Sequence, residues 1–131
     1  MKPKISLLHF NIGKFGGAEI YILQAAQALQ TAGAEVNAIS SLLPVSCKSV
    51  EGIPHRGLLP SHKGIQRVYL GLLNKLHLRQ VVIKRALARY AANSEILVAG
   101  HVNILPPVIE FAQNRNKKVW LVVYGIDIWK E

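Results

Sequence analysis

Residues 4–39 read KISLLHFNIGKFGGAEIYILQAAQALQTAGAEVNAI, and this stretch decides the fold. It opens on Ile5-Ser6-Leu7-Leu8-His9-Phe10, an apolar run with few polar positions, as expected of a strand buried on both faces of a parallel sheet. Glycines follow at Gly13, Gly16 and Gly17, and a helical pattern begins near Ala18. Ile22, Ala25, Ala26 and Leu29 recur at helical spacing and give one apolar face, with Gly33 placed to cap the C-terminus. Ala34 to Ile39 then alternates like a second strand. Strand, helix, strand is the repeating unit of doubly wound sheets, so the chain is expected to be α/β, with a Rossmann-like parallel sheet and helices on both faces.

Two readings of the glycine turn stay open. Amides at the start of a helix have no partner inside it, and a turn without Cβ atoms lets an anion come close. The plain alternative is a tight strand-to-helix connection with no ligand. The dinucleotide fingerprint G-x-G-x-x-G is not matched by Gly13, Gly16 and Gly17, and the second strand ends in Ser40 and Ser41 where an acid is wanted, which disfavours NAD or FAD. Ala18-Glu19 after Gly17 likewise disfavours a phosphate loop of the Walker type.

The 131 residues suffice for one domain with a substantial core, and half of them are hydrophobic, which argues against disorder. No apolar run approaches the ~20 residues that cross a bilayer, and Ile5 to Phe10 is too short for a secretory signal. Cys47 is the sole cysteine, so no internal disulfide is expected and a reducing cytoplasm is the natural compartment. His9, His55, His62, His77 and His101 lack metal-ligand spacing, and no zinc site or other metal is expected.

Lysine and arginine total 16 against 7 acids, a net charge of +9. The excess is concentrated between Glu51 and Glu95, which encloses Arg56, Lys63, Arg67, Lys75, Arg79, Lys84, Arg85 and Arg89 and no acid. After the second strand, Leu42-Leu43-Pro44 and Ser46 to Ser49 read as loop, Gly52, Pro54, Gly57 and Pro60 recur, and a poorly marked third strand lies near Arg56 to Leu59. Ile65, Val68, Tyr69, Leu72 and Leu76 then mark one helix face, and Ile83, Ala86, Leu87 and Tyr90 mark a second helix or a continuation of the first. Either the apolar strip packs on the sheet and the charges are solvated, or these basic amphipathic helices face an anionic membrane surface. Nucleic acid is the least supported partner, because no stacking aromatics are interleaved with the charges.

Glu95 to Ala99 reads as another strand, with Gly100 and His101 at its carboxyl end, where ligands gather in open α/β sheets. Imidazole there can exchange a proton or hydrogen-bond a hydroxyl, or be a satisfied structural group. Pro106 and Pro107 suit the first turn of a helix, with Asn103 placed to cap it, and Val119 to Val123 is a further buried strand ending at Tyr124-Gly125.

Three stretches, Gly16-Gly17-Ala18-Glu19, Gly100-His101-Val102-Asn103-Ile104-Leu105-Pro106 and Tyr124-Gly125-Ile126-Asp127-Ile128-Trp129, resemble in order and placement the family 4 glycosyltransferases of the two-domain GT-B architecture. The resemblance covers nearly the whole chain, with residues 41–93 matched only in outline. It implies the N-terminal, acceptor-side domain of a retaining enzyme that transfers a sugar from a nucleotide-sugar to a glycan or lipid-linked acceptor. Gly16 and Gly17 would then approach the donor diphosphate or sugar, His101 would be the catalytic residue, and Asn103, Tyr124 and Asp127 would line the acceptor or sugar pocket. Many relatives carry histidine where this chain has Tyr124, and a phenol cannot become a cation as imidazole can. The family's second, donor-binding domain has no room within these residues, so little activity is expected of the chain alone. The nucleotide-sugar is a substrate, and no cofactor is implied. A location on the cytoplasmic face of the cell membrane is implied, since many relatives glycosylate acceptors there. The alternative is a noncatalytic remnant or split subunit that binds a membrane surface or partner chain.

Overall fold

The computed structural model describes residues 2–9, 16–46 and 48–122. Among these residues six strands and four helices follow in order: β1 (Lys4–His9), α1 (Gly16–Thr31), β2 (Glu35–Pro44), β3 (Ser49–Val50), β4 (Ile53–Leu59), α2 (Lys63–Leu73), α3 (Leu76–Tyr90), β5 (Ile96–Ala99), α4 (Leu105–Gln113) and β6 (Lys118–Leu121). The strands form one sheet in the order β3-β4-β2-β1-β5-β6. All pairings are parallel except that of β3 with β4, so the fold is Rossmann-like α/β.

β1 is central, and Ile5 to His9 are all buried. Its side chains divide between two cores. Ile5 and Leu7 join Val36, Ala38 and Val98 beneath Ile22, Leu23 and Ala26 of α1. Leu8 joins Ile39, Leu97 and Ala99 on the opposite face, beneath Ile83 and Leu87 of α3 and Val108, Phe111 and Ala112 of α4. A strand covered from both sides has no solvent-facing register, which is why β1 shows no polar alternation.

α1 ends as its glycine demands. Gly33 has φ +104°, its N–H donates to Gln30 O at 3.1 Å, and Ala34 N–H donates to Leu29 O at 3.0 Å. This pair of bonds is a Schellman cap, satisfying carbonyls that the helix leaves open. The helix itself starts at Gly16, two residues before the expected Ala18. α2 and α3 are separate helices, broken at Asn74 and Lys75, and Arg79 Nε donates to Leu73 O at 2.8 Å across the break.

Two expectations need correction. The apolar strip of α2 does not pack on the sheet: Leu73 is buried and Tyr69 half-buried, but Ile65 is 56% exposed, Val68 65% and Leu72 37%. Leu73 and Tyr69 are thus the apolar residues of α2 that turn toward the body. Asn103 does not cap α4, whose N-cap is Ile104, because a short 3-10 turn over Val102–Ile104 leads straight into the helix.

Leu87 is fully buried between α3 and the sheet. Leu87→Ala is expected to lower the unfolding free energy by about 2–5 kcal/mol, read as a fall in the urea midpoint without a change in slope.

Candidate functional site at the carboxyl rim

Because β2, β1 and β5 are parallel, their last residues share one rim. β1 pairs with β2 on one side and with β5 on the other, so consecutive crossovers leave β1 in opposite directions. That divergence opens a crevice, the usual ligand position in sheets of this kind. His9 ends β1, Ser40 and Ser41 lie in the last part of β2, and Gly100 and His101 follow β5. α1 follows β1 and returns the chain to the start of β2, which brings its first residues, Gly16 and Gly17, to the same rim.

The rim is closely fitted at β1 and β5. Gly100 N–H donates to Leu8 O at 2.8 Å. A Cβ on Gly100 would lie 2.6 Å from His9 Cδ2 and 2.8 Å from Leu8 O. The glycine is required here for close approach, since the His9 ring, itself 3% exposed, occupies the space a side chain would need.

His101 is half-buried, and its Nδ1 accepts the Asn103 backbone N–H at 3.1 Å. The 3-10 turn supplies this donor, so the polypeptide fixes the tautomer: a neutral His101 carries its proton on Nε2. Asn103 thus serves the site through its backbone, while its residue as a whole is exposed.

The end of β2 holds two further polar groups. Pairing with β4 is regular to Ser40↔Gly57 and resumes only at Pro44↔Leu59, so β2 carries an irregularity there. Ser40 and Ser41 are buried, and their hydroxyls have no hydrogen-bond partner among the described residues. Ser41 lines a small cavity with Leu8, His9, Ile39, Leu58 and Ile104. Buried hydroxyls are nearly always bonded, and bulges gather beside functional sites, so this corner carries stored polar capacity. Tyr69 closes it from α2, its hydroxyl donating to Ser41 O at 2.8 Å. Burial pushes the Tyr69 phenol up to about 12, because tyrosinate would be poorly solvated there.

Of the residues singled out in the sequence, Gly16, Gly17 and His101 share the rim. Phe10, Gly13, Tyr124, Asp127 and Trp129 lie outside the described residues, as does Cys47. The basic residues are not one surface. Lys63, Arg67 and Lys75 are exposed on and beside α2, and Arg85 and Arg89 are exposed on α3. Lys84 pairs with Glu110 of α4 at 2.8 Å, and Arg79 Nε donates to Leu73 O at the α2 terminus. His9, Ser41 and Tyr69 were not legible as rim groups; for His9 the one available signal was its place as the last polar residue of a buried strand.

No group of three or more metal-ligating side chains converges among the described residues. None of their helices is long and apolar enough to cross a membrane. Compared with known proteins, the chain matches no family model and no curated sequence. The rim geometry therefore carries the functional argument.

Two outcomes check this geometry. Gly100→Ala is expected to cost about 1–3 kcal/mol in urea unfolding, because the new methyl overpacks against backbone and the His9 ring. Raising the pH should leave the Tyr69 contribution intact below about pH 10, its unfolded value, and remove it as pH passes about 12. Tyrosinate absorbance should show one of the 4 tyrosines ionising last, and Tyr69→Phe should delete that step.

Proposed function

We propose that this chain is the N-terminal, acceptor-side domain of a retaining glycosyltransferase of the GT-B, family 4 type. The observation that carries the reading is the meeting of two features at one rim: a helix opening on Gly16-Gly17, and His101 with its donor nitrogen fixed by Asn103 N–H. Sugar transfer from a nucleotide-sugar leaves negative charge on the departing diphosphate. The first amides of α1, which have no partner within the helix, stabilise that charge, aided by the helix dipole. His101 Nε2–H donates to a sugar hydroxyl and holds the acceptor or donor in register. Tyr124 and Asp127, by resemblance, complete the acceptor pocket. The donor nucleotide is held by a second domain, so turnover requires both halves.

The test supplies a donor-binding half from the same reading frame or the neighbouring gene. With both halves present, a nucleotide-sugar should raise the melting temperature and sugar should be transferred, and His101→Ala should lower turnover about 10²-fold. Absence of any nucleotide-sugar response in the reconstituted pair contradicts the enzyme and leaves a noncatalytic module.

A second reading is favoured by α2. Its exposed Ile65, Val68 and Leu72 lie on a helix that also bears exposed Lys63 and Arg67, with Lys75 just beyond. That combination suits an anionic lipid surface, each cation near the surface adding about 1 kcal/mol. The chain should co-sediment with vesicles containing anionic phospholipid, and Ile65→Glu with Val68→Glu should abolish this. Binding undiminished by those changes contradicts the lipid-facing role of α2.

A further inference from the structure

Beside the Ser41 corner, a cleft of about 530 Å³ lies between β4, α2 and α3. Leu58, Tyr69, Val82 and Tyr90 line it together with Arg85 and Arg89. Its volume is that of a small-molecule site, and its lining combines apolar walls with a few charged groups, as such sites do.

The charges are arranged around one ring. Arg56 reaches over Tyr90 from β4, with its guanidinium carbon 5.2 Å from the ring centroid, and Arg89 does so from α3 at 5.4 Å. Tyr90 itself is half-buried, anchored where its carbonyl accepts from Asn37 Nδ2 at 3.4 Å. The aromatic face attracts each cation. The two cations repel each other. Among the described residues Lys84 pairs with Glu110, and no carboxylate pairs with Arg56, Arg85 or Arg89. The sequence places no acid between Glu51 and Glu95.

We propose that this cleft binds a phosphate ester, with Arg85 and Arg89 of its lining taking the phosphate and the Tyr69, Val82 and Leu58 walls taking its sugar or acyl body. Phosphate fits better than a carboxylate because its two charges match the two arginines of the lining, and guanidinium presents paired donors to its oxygens. A bound anion also removes the repulsion across Tyr90. A bare ion would leave the apolar walls uncovered, so an ester is preferred to inorganic phosphate. The site shares Tyr69 and Leu58 with the Ser41 corner of the rim, and it does not depend on sugar transfer.

The full chain is titrated calorimetrically with glucose 1-phosphate, dodecyl phosphate, inorganic phosphate and vesicles of phosphatidylcholine containing phosphatidic acid. At least one ester should bind more tightly than inorganic phosphate. Arg85→Gln with Arg89→Gln should weaken it by about tenfold or more, as expected for lost charge-assisted bonds. The charge-matched control, Lys2→Gln with Lys48→Gln at exposed positions, should change it less than about twofold by the same argument for screened surface charge. Ring protons of Tyr90 in the unaltered chain should shift on adding the ester, a readout independent of any variant's folding. Preference for vesicles assigns the phosphate to a lipid headgroup, and preference for a soluble ester assigns it to a free metabolite. Equal losses in the two double variants, inorganic phosphate binding as tightly as every ester, or unmoved Tyr90 signals would overturn the proposal.

Discussion

The parallel pairing of β1 with β2 on one side and β5 on the other is the constraint on which the rest depends. A strand in that position has no solvent-facing side, so its residues must be apolar or internally bonded, and helices must cover both faces. The helical returns from β1 to β2, from β4 to β5 and from β5 to β6 bring the carboxyl ends of the parallel strands to the same rim. The crevice beside His9 is thus a consequence of burying Ile5, Leu7 and Leu8 on both sides, not an addition to the fold.

The two ends of the sheet treat polar groups differently. Toward the amino end, the buried Ser6 hydroxyl donates to Asn37 Oδ1 at 2.5 Å and lies 2.5 Å from Ser94 Oγ, and Asn37 Nδ2 continues to Tyr90 O. Lys117 Nζ closes the same region onto the carbonyls of Ala92 and Ser94. That network ties β1, β2 and the end of α3 together. At the carboxyl rim, Ser40 and Ser41 are buried with hydroxyls that find no partner among the described residues. A satisfied network contributes to stability, while unsatisfied polar capacity beside a bulge is the form in which proteins retain function.

Most of the framework was legible because it follows local rules. The apolar run at β1, the helical spacing from Ile22 to Leu29 and the positive φ demanded of Gly33 each specify their element without knowledge of the rest. The limits of β2 and β4 were not legible, since Leu42 to Pro60 is broken by Pro44, Gly52, Pro54 and Gly57, and the pairing that makes β4 a strand is supplied by β2. The two-residue β3 exists only as the antiparallel partner of Ile53 and Pro54. α2 shows the converse limit. Its periodicity fixed the helix but not its surroundings, because spacing tells which residues share a face and not whether another element covers it. At the rim, His101 could be read from its place after a strand, whereas the Asn103 N–H that sets its tautomer is a backbone contact with no signature in side-chain identity.

A carboxyl rim that receives the phosphate-bearing part of a ligand, as proposed, would do so through the first amides of α1 and the loop after β5. The direct measurement is a ¹⁵N–¹H titration of the chain with a nucleoside diphosphate. The account predicts saturable shifts at the amides of Gly16, Gly17, Gly100 and His101, with the amides at the opposite end, such as Glu35 and Lys118, unmoved. Shifts confined to that opposite end, or no saturable shift at the rim, would contradict it.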